Sequence, residues 1–428
     1  MIHLLEDFCD FLTDSPTSYH AALEISERLA SLDYTPLVMD KPWKLEKEKK
    51  YFVMLEGSIA SFILPKKKPT QMSIIGSHTD SPALKLKPHP EFHKSNMQLV
   101  GVEVYGGPIL PTWFNRDLAI AGQVIVTNKK GEKEKHLVFL SDTPLLIPLL
   151  APHLDREAYK KGLVFNKQDH LAPIASLKEE KLDTPYLEEL LRREITFEKL
   201  LDFDLFLVPI DPPRYLGKDH EMLASYRLDN LTSVHAALAA FGHYKDPPTH
   251  TLPLGLFWDH EEVGSSTRIG AASPFFEDIY RRIVSFYGLS QEEETIARHK
   301  SLCLSVDVTH ALNPNYEKKY DPNHSPLLGG GVTVKYNANQ RYSTSGFGAA
   351  CVAQLCDQLD LKLQKFANRS DNPAGSTVGP LFATKLGIET VDIGLAQLSM
   401  HATREVIACQ DQIDLTALLT YFLLREEK

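Results

Sequence analysis

Hydrophobic positions along the chain follow two patterns. Over residues 4–32 apolar side chains recur at helical spacing with a break at Ser15-Pro16, which predicts an interrupted helix, and 51–55 and 58–64, around Gly57, read as two strands. From Gln71 onward short apolar runs recur at 72–76, 254–258, 302–306 and 391–395, each short enough to be a strand buried on both faces. Helical spacing returns between them at Leu231, Val234, Leu238 and Phe241, and again over 349–363. Such alternation predicts an α/β domain.

Each apolar run is followed by residues with chemical capability: Ser77-His78-Thr79-Asp80, Asp259-His260-Glu261-Glu262, Asp307-Val308-Thr309-His310 and Met400-His401. In open α/β sheets ligands bind beyond the carboxyl ends of the strands, because loops from several strands converge there. All of these groups are therefore expected on one edge. The stretch 90–217 reads differently, with alternating strands at 98–105, 118–127, 136–140 and 203–210 and a charged helix near 185–201. It predicts a β-rich domain inserted between 1–89 and 218–428 of the α/β domain.

Composition narrows the function classes. A chain of 428 residues exceeds one ordinary core, and 46 Lys+Arg against 56 Asp+Glu leave a charge of −10, which disfavours a nucleic-acid or anionic-membrane partner. No apolar stretch reaches the roughly 18 to 20 residues of a membrane span, and the most apolar one, 145–154, is broken by prolines. The opening MIHLLEDFCDFL has acids where a secretory leader would be apolar, so a cytoplasmic location is expected. The five cysteines are scattered without a CxxC pair, so any metal must take nitrogen and oxygen ligands.

His78, Asp80, Asp229, Glu261, Glu262, Asp307 and His401 form the candidate constellation. Imidazoles with carboxylates suit Zn2+, Co2+ or Mn2+. One metal would need three of these groups, whereas five with one shared carboxylate would serve two metals and leave room for a bridging water. Three carboxylates and a hydroxide would balance two divalent ions. Glu261 and Glu262, adjacent on an extended chain, would point to opposite sides, so one could ligate while the other acts as general base. His78 and Asp80, two apart, would share a face, letting Asp80 orient the imidazole. The bland readings are specific too: Asp229 could cap a helix beginning near Leu231. Gly329-Gly330-Gly331 reads as a flexible turn, since no GK[ST] follows, and Gly375-Ser376-Thr377 lacks a G-x-S-x-G frame. Seven groups on one expected edge favour a metal-dependent hydrolase over seven separate coincidences.

In order along the chain stand SPTSYHA (15–21), SHTDSP (77–82), WFNRDL (113–118), RLDNL (227–231), DHEEVGS (259–265), SVDVTHA (305–311), KYNANQRY (335–342), NRSDNPAGSTVGP (368–380) and MHATRE (400–405). Together these resemble the M18 metallo-aminopeptidases, whose best-known members are the aspartyl aminopeptidases. The resemblance implies a dinuclear-zinc α/β domain with an inserted β-rich dimerisation domain. It implies Asp229 as bridging ligand, His78 and Asp307 on one metal, Glu262 and His401 on the other, Glu261 as general base and Asp80 behind the ligands. His310, Lys335 and Tyr342 would line the substrate site, with Tyr342 assisting the oxyanion and Lys335 favouring N-terminal Asp or Glu. Substrates would be peptides with a free N-terminus. Dimers would assemble into a homo-dodecamer in which His153 reaches a neighbouring subunit's site. The chain departs from the family at Asn115, Ala374 and Ala402-Thr403, none of them a proposed ligand. Competing readings are an aminopeptidase preferring neutral residues, a dinuclear zinc deacylase or carboxypeptidase, and an inactive assembly or cargo protein. Glu261 argues against the last, because a purely structural metal needs no base beside it.

Overall fold

The structure is a computed structural model and describes residues 2–177 and 185–425. Two compact units emerge, one made of Met1–Asp80, Pro213–Met400 and Glu405–Lys428, the other of Ser81–Pro212 with His401–Arg404. The chain thus leaves the first unit after Asp80, returns at Pro213, and leaves again for four residues that carry His401.

The first unit is built on a nine-stranded sheet. Its centre is the strand Gln71–His78, flanked in parallel by Thr251–Trp258 and Leu302–Val306, with Glu389–Gly394 parallel beyond the latter. These central strands are buried along nearly their whole length, as their continuous apolar runs predict. Alternate residues serve opposite faces: Ile75, Phe257 and Leu304 enter one core, whereas Ile74, Leu256 and Cys303 enter the other. The first core takes Phe8 and Phe11 of helix Ile2–Thr13, Ile25 and Leu29 of Ser18–Ser31, and Leu231, Val234 and Phe241 of Leu228–Gly242. Leu415 and Leu419 of helix Cys409–Leu424 join them. The second core takes Phe275, Phe276, Ile279 and Ile283 of helix Phe275–Tyr287 and Phe382 and Leu386 of Val378–Leu386. Helices on both faces of a mostly parallel sheet make this the expected α/β architecture. A smaller five-stranded sheet, which includes Met222–Ser225 and Glu405–Ala408, completes the unit.

The second unit is a six-stranded antiparallel sheet. Its strands Met97–Tyr105, Leu118–Thr127, Lys133–Leu145 and Lys199–Pro209 stand where alternation predicts them. Gly122 has φ 145° and a side chain there would strike the Asp204 carbonyl, so the close approach of two strands requires glycine.

Some elements depart from the sequence expectation. The strand Ala83–Lys94 is hidden from pattern reading by Pro88 and Pro90, and the charged helix is only Tyr186–Glu194 because Lys199 already begins a strand. Helix Gln291–Lys300 carried an unread signal, the capping box of Ser290 and Glu293. Residues 349–363 are not one helix: Gly346–Gln358 is helical, and Leu363–Ala367 is an edge strand. The Gly329–Gly331 turn is held in place, since both oxygens of the buried Asp411 carboxylate accept the Gly329 and Gly331 amides.

Candidate metal centre

His78 is the last residue of its strand and is 2% exposed. Its Nε2 faces two carboxylates, 3.4 Å from Asp229 Oδ1 and 3.6 Å from Asp307 Oδ1. Its Nδ1 lies 3.1 Å from the Asp80 carbonyl and 3.4 Å from Asp80 Oδ1. Burial alone would depress the imidazole pKa, but the hydrogen bonds of Asp229, Asp307 and Asp80 outweigh it and raise the pKa well above the usual value. The centre therefore strongly favours a cation between these groups.

Glu261 and Glu262 follow the buried strand Thr251–Trp258, on a tight helical turn Glu261–Val263 bracketed by His260 and Gly264 at φ 66° and 92°. The chain is not extended here, so the strand-alternation argument for separating the two side chains does not apply. Asp80 fixes the turn instead: Oδ1 accepts the Glu261 amide at 3.0 Å and Oδ2 the Glu262 amide at 3.1 Å. Donor atoms of His78, Asp229 and Glu262 lie within 4.8 Å of one another. Burial pushes the Glu261 carboxyl up to about 8; the His78 charge opposes this, and Asp307, Asp80 and Asp229 add to it.

Asp229 stands at a kink just before Leu231, with non-helical angles, 3% exposed, and donates its amide to Glu405 Oε2 at 3.0 Å. Asp307 directly follows Leu302–Val306; while Oδ1 faces His78, Oδ2 accepts Lys335 Nζ at 3.2 Å. Lys335 is 2% exposed, with its ammonium 5.5 Å from the Tyr342 ring centre. Burial works against its charge, but Asp307, Tyr342 and Asp392 raise its pKa above the ordinary lysine value. Tyr342 stands 6.3 Å from Phe366, which in turn stands 5.9 Å from the exposed His310 ring. His401 belongs to the second unit, where Nδ1 approaches the Gly107 carbonyl at 3.0 Å, and His153 is an exposed residue of the same unit.

The first unit thus brings together His78, Asp80, Asp229, Glu261, Glu262, Asp307 and Lys335. One imidazole and three carboxylates converge, nitrogen and oxygen donors of the kind zinc takes. A buried carboxyl pushed upward at Glu261, beside an imidazole whose pKa the neighbouring carboxylates raise, fits a site built to receive positive charge. Sequence reasoning missed Arg227, Asp392 and Glu405, all charged and at most 3% exposed. Two of them, Arg227 and Glu405, stand inside RLDNL and MHATRE, the only signal available for them.

A family model described as aminopeptidase I zinc metalloprotease (M18) matches residues 11–423. The "Probable M18 family aminopeptidase 2" of Streptomyces coelicolor is 38% identical over 431 residues, covering 98% of this chain and 97% of that protein. Its namesake in Stutzerimonas stutzeri is 38% identical over 429 residues, with 98% and 97% covered. Among solved structures, that of the Ape4 and Nbr1 complex matches with a TM-score of 0.93 and 34% identity over 99% of this chain and 88% of that one. The S. cerevisiae mApe1 dodecamer matches with a TM-score of 0.85 and 27% identity over 97% of this chain and 95% of that one.

Proposed function

The chain belongs to the M18 family of zinc metalloproteases and is an aminopeptidase, and from that premise we propose that it removes N-terminal Asp or Glu from peptides, with Glu261 as general base. The observation that carries the reading is one turn holding Glu262 within reach of His78 and Asp229 while Glu261 stands beside it unassigned to that donor group. In this proposal His78, Asp229 and Asp307 would hold one zinc ion, and Asp229, Glu262 and His401 a second. When bound, zinc supplies Lewis-acid activation of the scissile carbonyl and of water. Glu261 then takes a proton from the attacking water and delivers it to the departing amine. Burial holds its carboxyl up at about 8, and further positive charge in the centre would bring it down toward the range of a working base. Asp80 keeps the turn in register, and Tyr342 would donate toward the tetrahedral oxyanion.

The acidic preference rests on Lys335. Its charge is paired with Asp307 in this structure, and an Asp307 that shares its own charge with zinc would leave the ammonium's field to attract a substrate carboxylate. A zinc deacylase or carboxypeptidase fits less well, because family membership places the chain among aminopeptidases. Because mApe1 of S. cerevisiae is a dodecamer, we extend assembly to this chain: the antiparallel unit would pair two copies, dimers would build a homo-dodecamer, and His153 would reach a neighbour's site. No helix among the described residues is long and apolar enough to cross a membrane; a cytoplasmic location is part of the proposal. The test is kcat/KM on peptides beginning with Asp, Glu, Leu and Ala. Preference for Asp and Glu supports the reading; preference for Leu or Ala leaves the aminopeptidase and removes the acidic specificity.

A further inference from the structure

Carboxylates crowd the end of the central strands beyond what the donor group needs. Asp80, Asp259 and Glu405 are each at most 3% exposed and none belongs to the proposed ligand set. Their oxygens accept mainly from backbone: Asp80 from the Glu261 and Glu262 amides, Asp259 from the His260 amide and also the Ser18 hydroxyl, Glu405 from the Asp229 amide. Buried anions in such number require a buried cation, since carboxylates left without one either take protons or disrupt the packing.

Arg227 meets that requirement. It is 3% exposed, and Asp80, Asp259 and Glu405 all act on its charge. Its guanidinium donates to the Ser15 carbonyl at 2.7 Å and, through the other terminal nitrogen, to the Thr79 carbonyl. Thr79 is the residue between His78 and Asp80, and Arg227 itself stands two residues before Asp229. A single side chain therefore ties the segment bearing His78 to the segment bearing Asp229. Through Asp80 it also reaches the turn of Glu261 and Glu262. The planar fork suits this task, because two carbonyls in different directions are held by two nitrogens of one rigid group. Arg227 itself lies at φ 65°, a left-handed conformation that non-glycine residues seldom adopt.

We propose that Arg227 is a positioning residue that sets the zinc affinity of the centre by pinning the His78–Asp80 turn to the segment that bears Asp229. The inference rests on the metallo-aminopeptidase reading of the site. Its test is the zinc dissociation constant, measured by competition with a chromophoric chelator on full-length wild type, Arg227→Gln and Arg227→Lys. Circular dichroism establishes that each variant is folded, and kcat and KM are read at saturating zinc. Partners behind metal ligands typically govern about 10- to 100-fold in affinity, so Arg227→Gln is expected to weaken zinc about tenfold or more. Arg227→Lys keeps the charge but not the fork and should fall between wild type and Arg227→Gln. KM should be unchanged in both, because Arg227 does not touch the peptide. A role confined to fold stability would lower thermal stability without moving the zinc constant. Should Arg227→Gln fail to fold, Arg227→Lys decides: a zinc constant equal to wild type's overturns the proposal, as does one in folded Arg227→Gln raised less than about tenfold. A wild type that binds no zinc would instead overturn the reading of the site itself.

Discussion

Replacing Asp80 by Asn separates the geometry of the Glu261–Glu262 turn from its charge. The carboxylate accepts two backbone amides, at 3.0 and 3.1 Å, while 3% exposed. Asn keeps one acceptor oxygen and sets an NH2 group against the other amide, so one charge-assisted bond is lost and one buried donor is left unmade. Each of these costs about 1 to 3 kcal/mol, which puts the local penalty at roughly 2 to 6 kcal/mol, more than a three-residue turn can absorb unmoved. A displacement near 1 Å at a reacting group costs about 100-fold. The expected outcome is therefore a fall in kcat/KM of about 100-fold at saturating zinc, assayed on an Asp-initiated peptide. Zinc affinity should fall as well, by about 10- to 100-fold, because Asp80 also touches His78 Nδ1. Should Asp80→Asn retain kcat/KM within about threefold, under 1 kcal/mol, the carboxylate is not what holds the turn.

Glu261→Gln should lower kcat by about 100-fold or more while zinc content stays at the wild-type level, checked by metal analysis beside the turnover assay. Lys335→Met, isosteric and buried, should reduce the Asp-to-Leu ratio of kcat/KM by about 10- to 150-fold, the worth of a charge-assisted pair of about 1.5 to 3 kcal/mol; an unchanged ratio removes Lys335 as selector. His20 makes acid stability testable, since burial and then the Arg227 charge hold its pKa at about 4. The unfolded chain takes up that proton first, so the stability present above pH 6.5 is lost as pH falls toward 4, by about 3 kcal/mol at most for a shift of this size. Urea midpoints of the zinc-free protein at pH 7 and pH 4.5 should differ less in His20→Gln than in wild type, and an equal difference in the two would refute the assignment.

How much of this was legible in the sequence depended on where the information lay. His78, Asp307 and the Glu pair could be read because buried parallel strands leave continuous apolar runs, and strand ends are where side chains meet. The middle of the chain declared itself through alternation, although the units part at Asp80 and Pro213, where the pattern suggested 89 and 218. What the pattern could not carry was conformation and partnership. Asp229 reads as a cap by sequence, and nothing local announces that its carboxylate faces His78 or that its amide goes to Glu405, 176 positions away. The burial of Lys335 follows from its pairing with Asp307 across the sheet, and no local composition announces it. Arg227 was invisible for the same reason: its partners stand at positions 15 and 79.

The central claim, that positive charge received among His78, Asp229 and Glu262 drives removal of a residue from a free N-terminus, has one direct test. A peptide beginning with Asp and its N-acetylated twin are incubated with the protein as purified, after chelation, and after zinc is restored, and the released amino acid is quantified. The account predicts Asp released from the free peptide only, abolished by the chelator and recovered with zinc. Cleavage of the acetylated twin, or release that survives complete removal of metal, would contradict it.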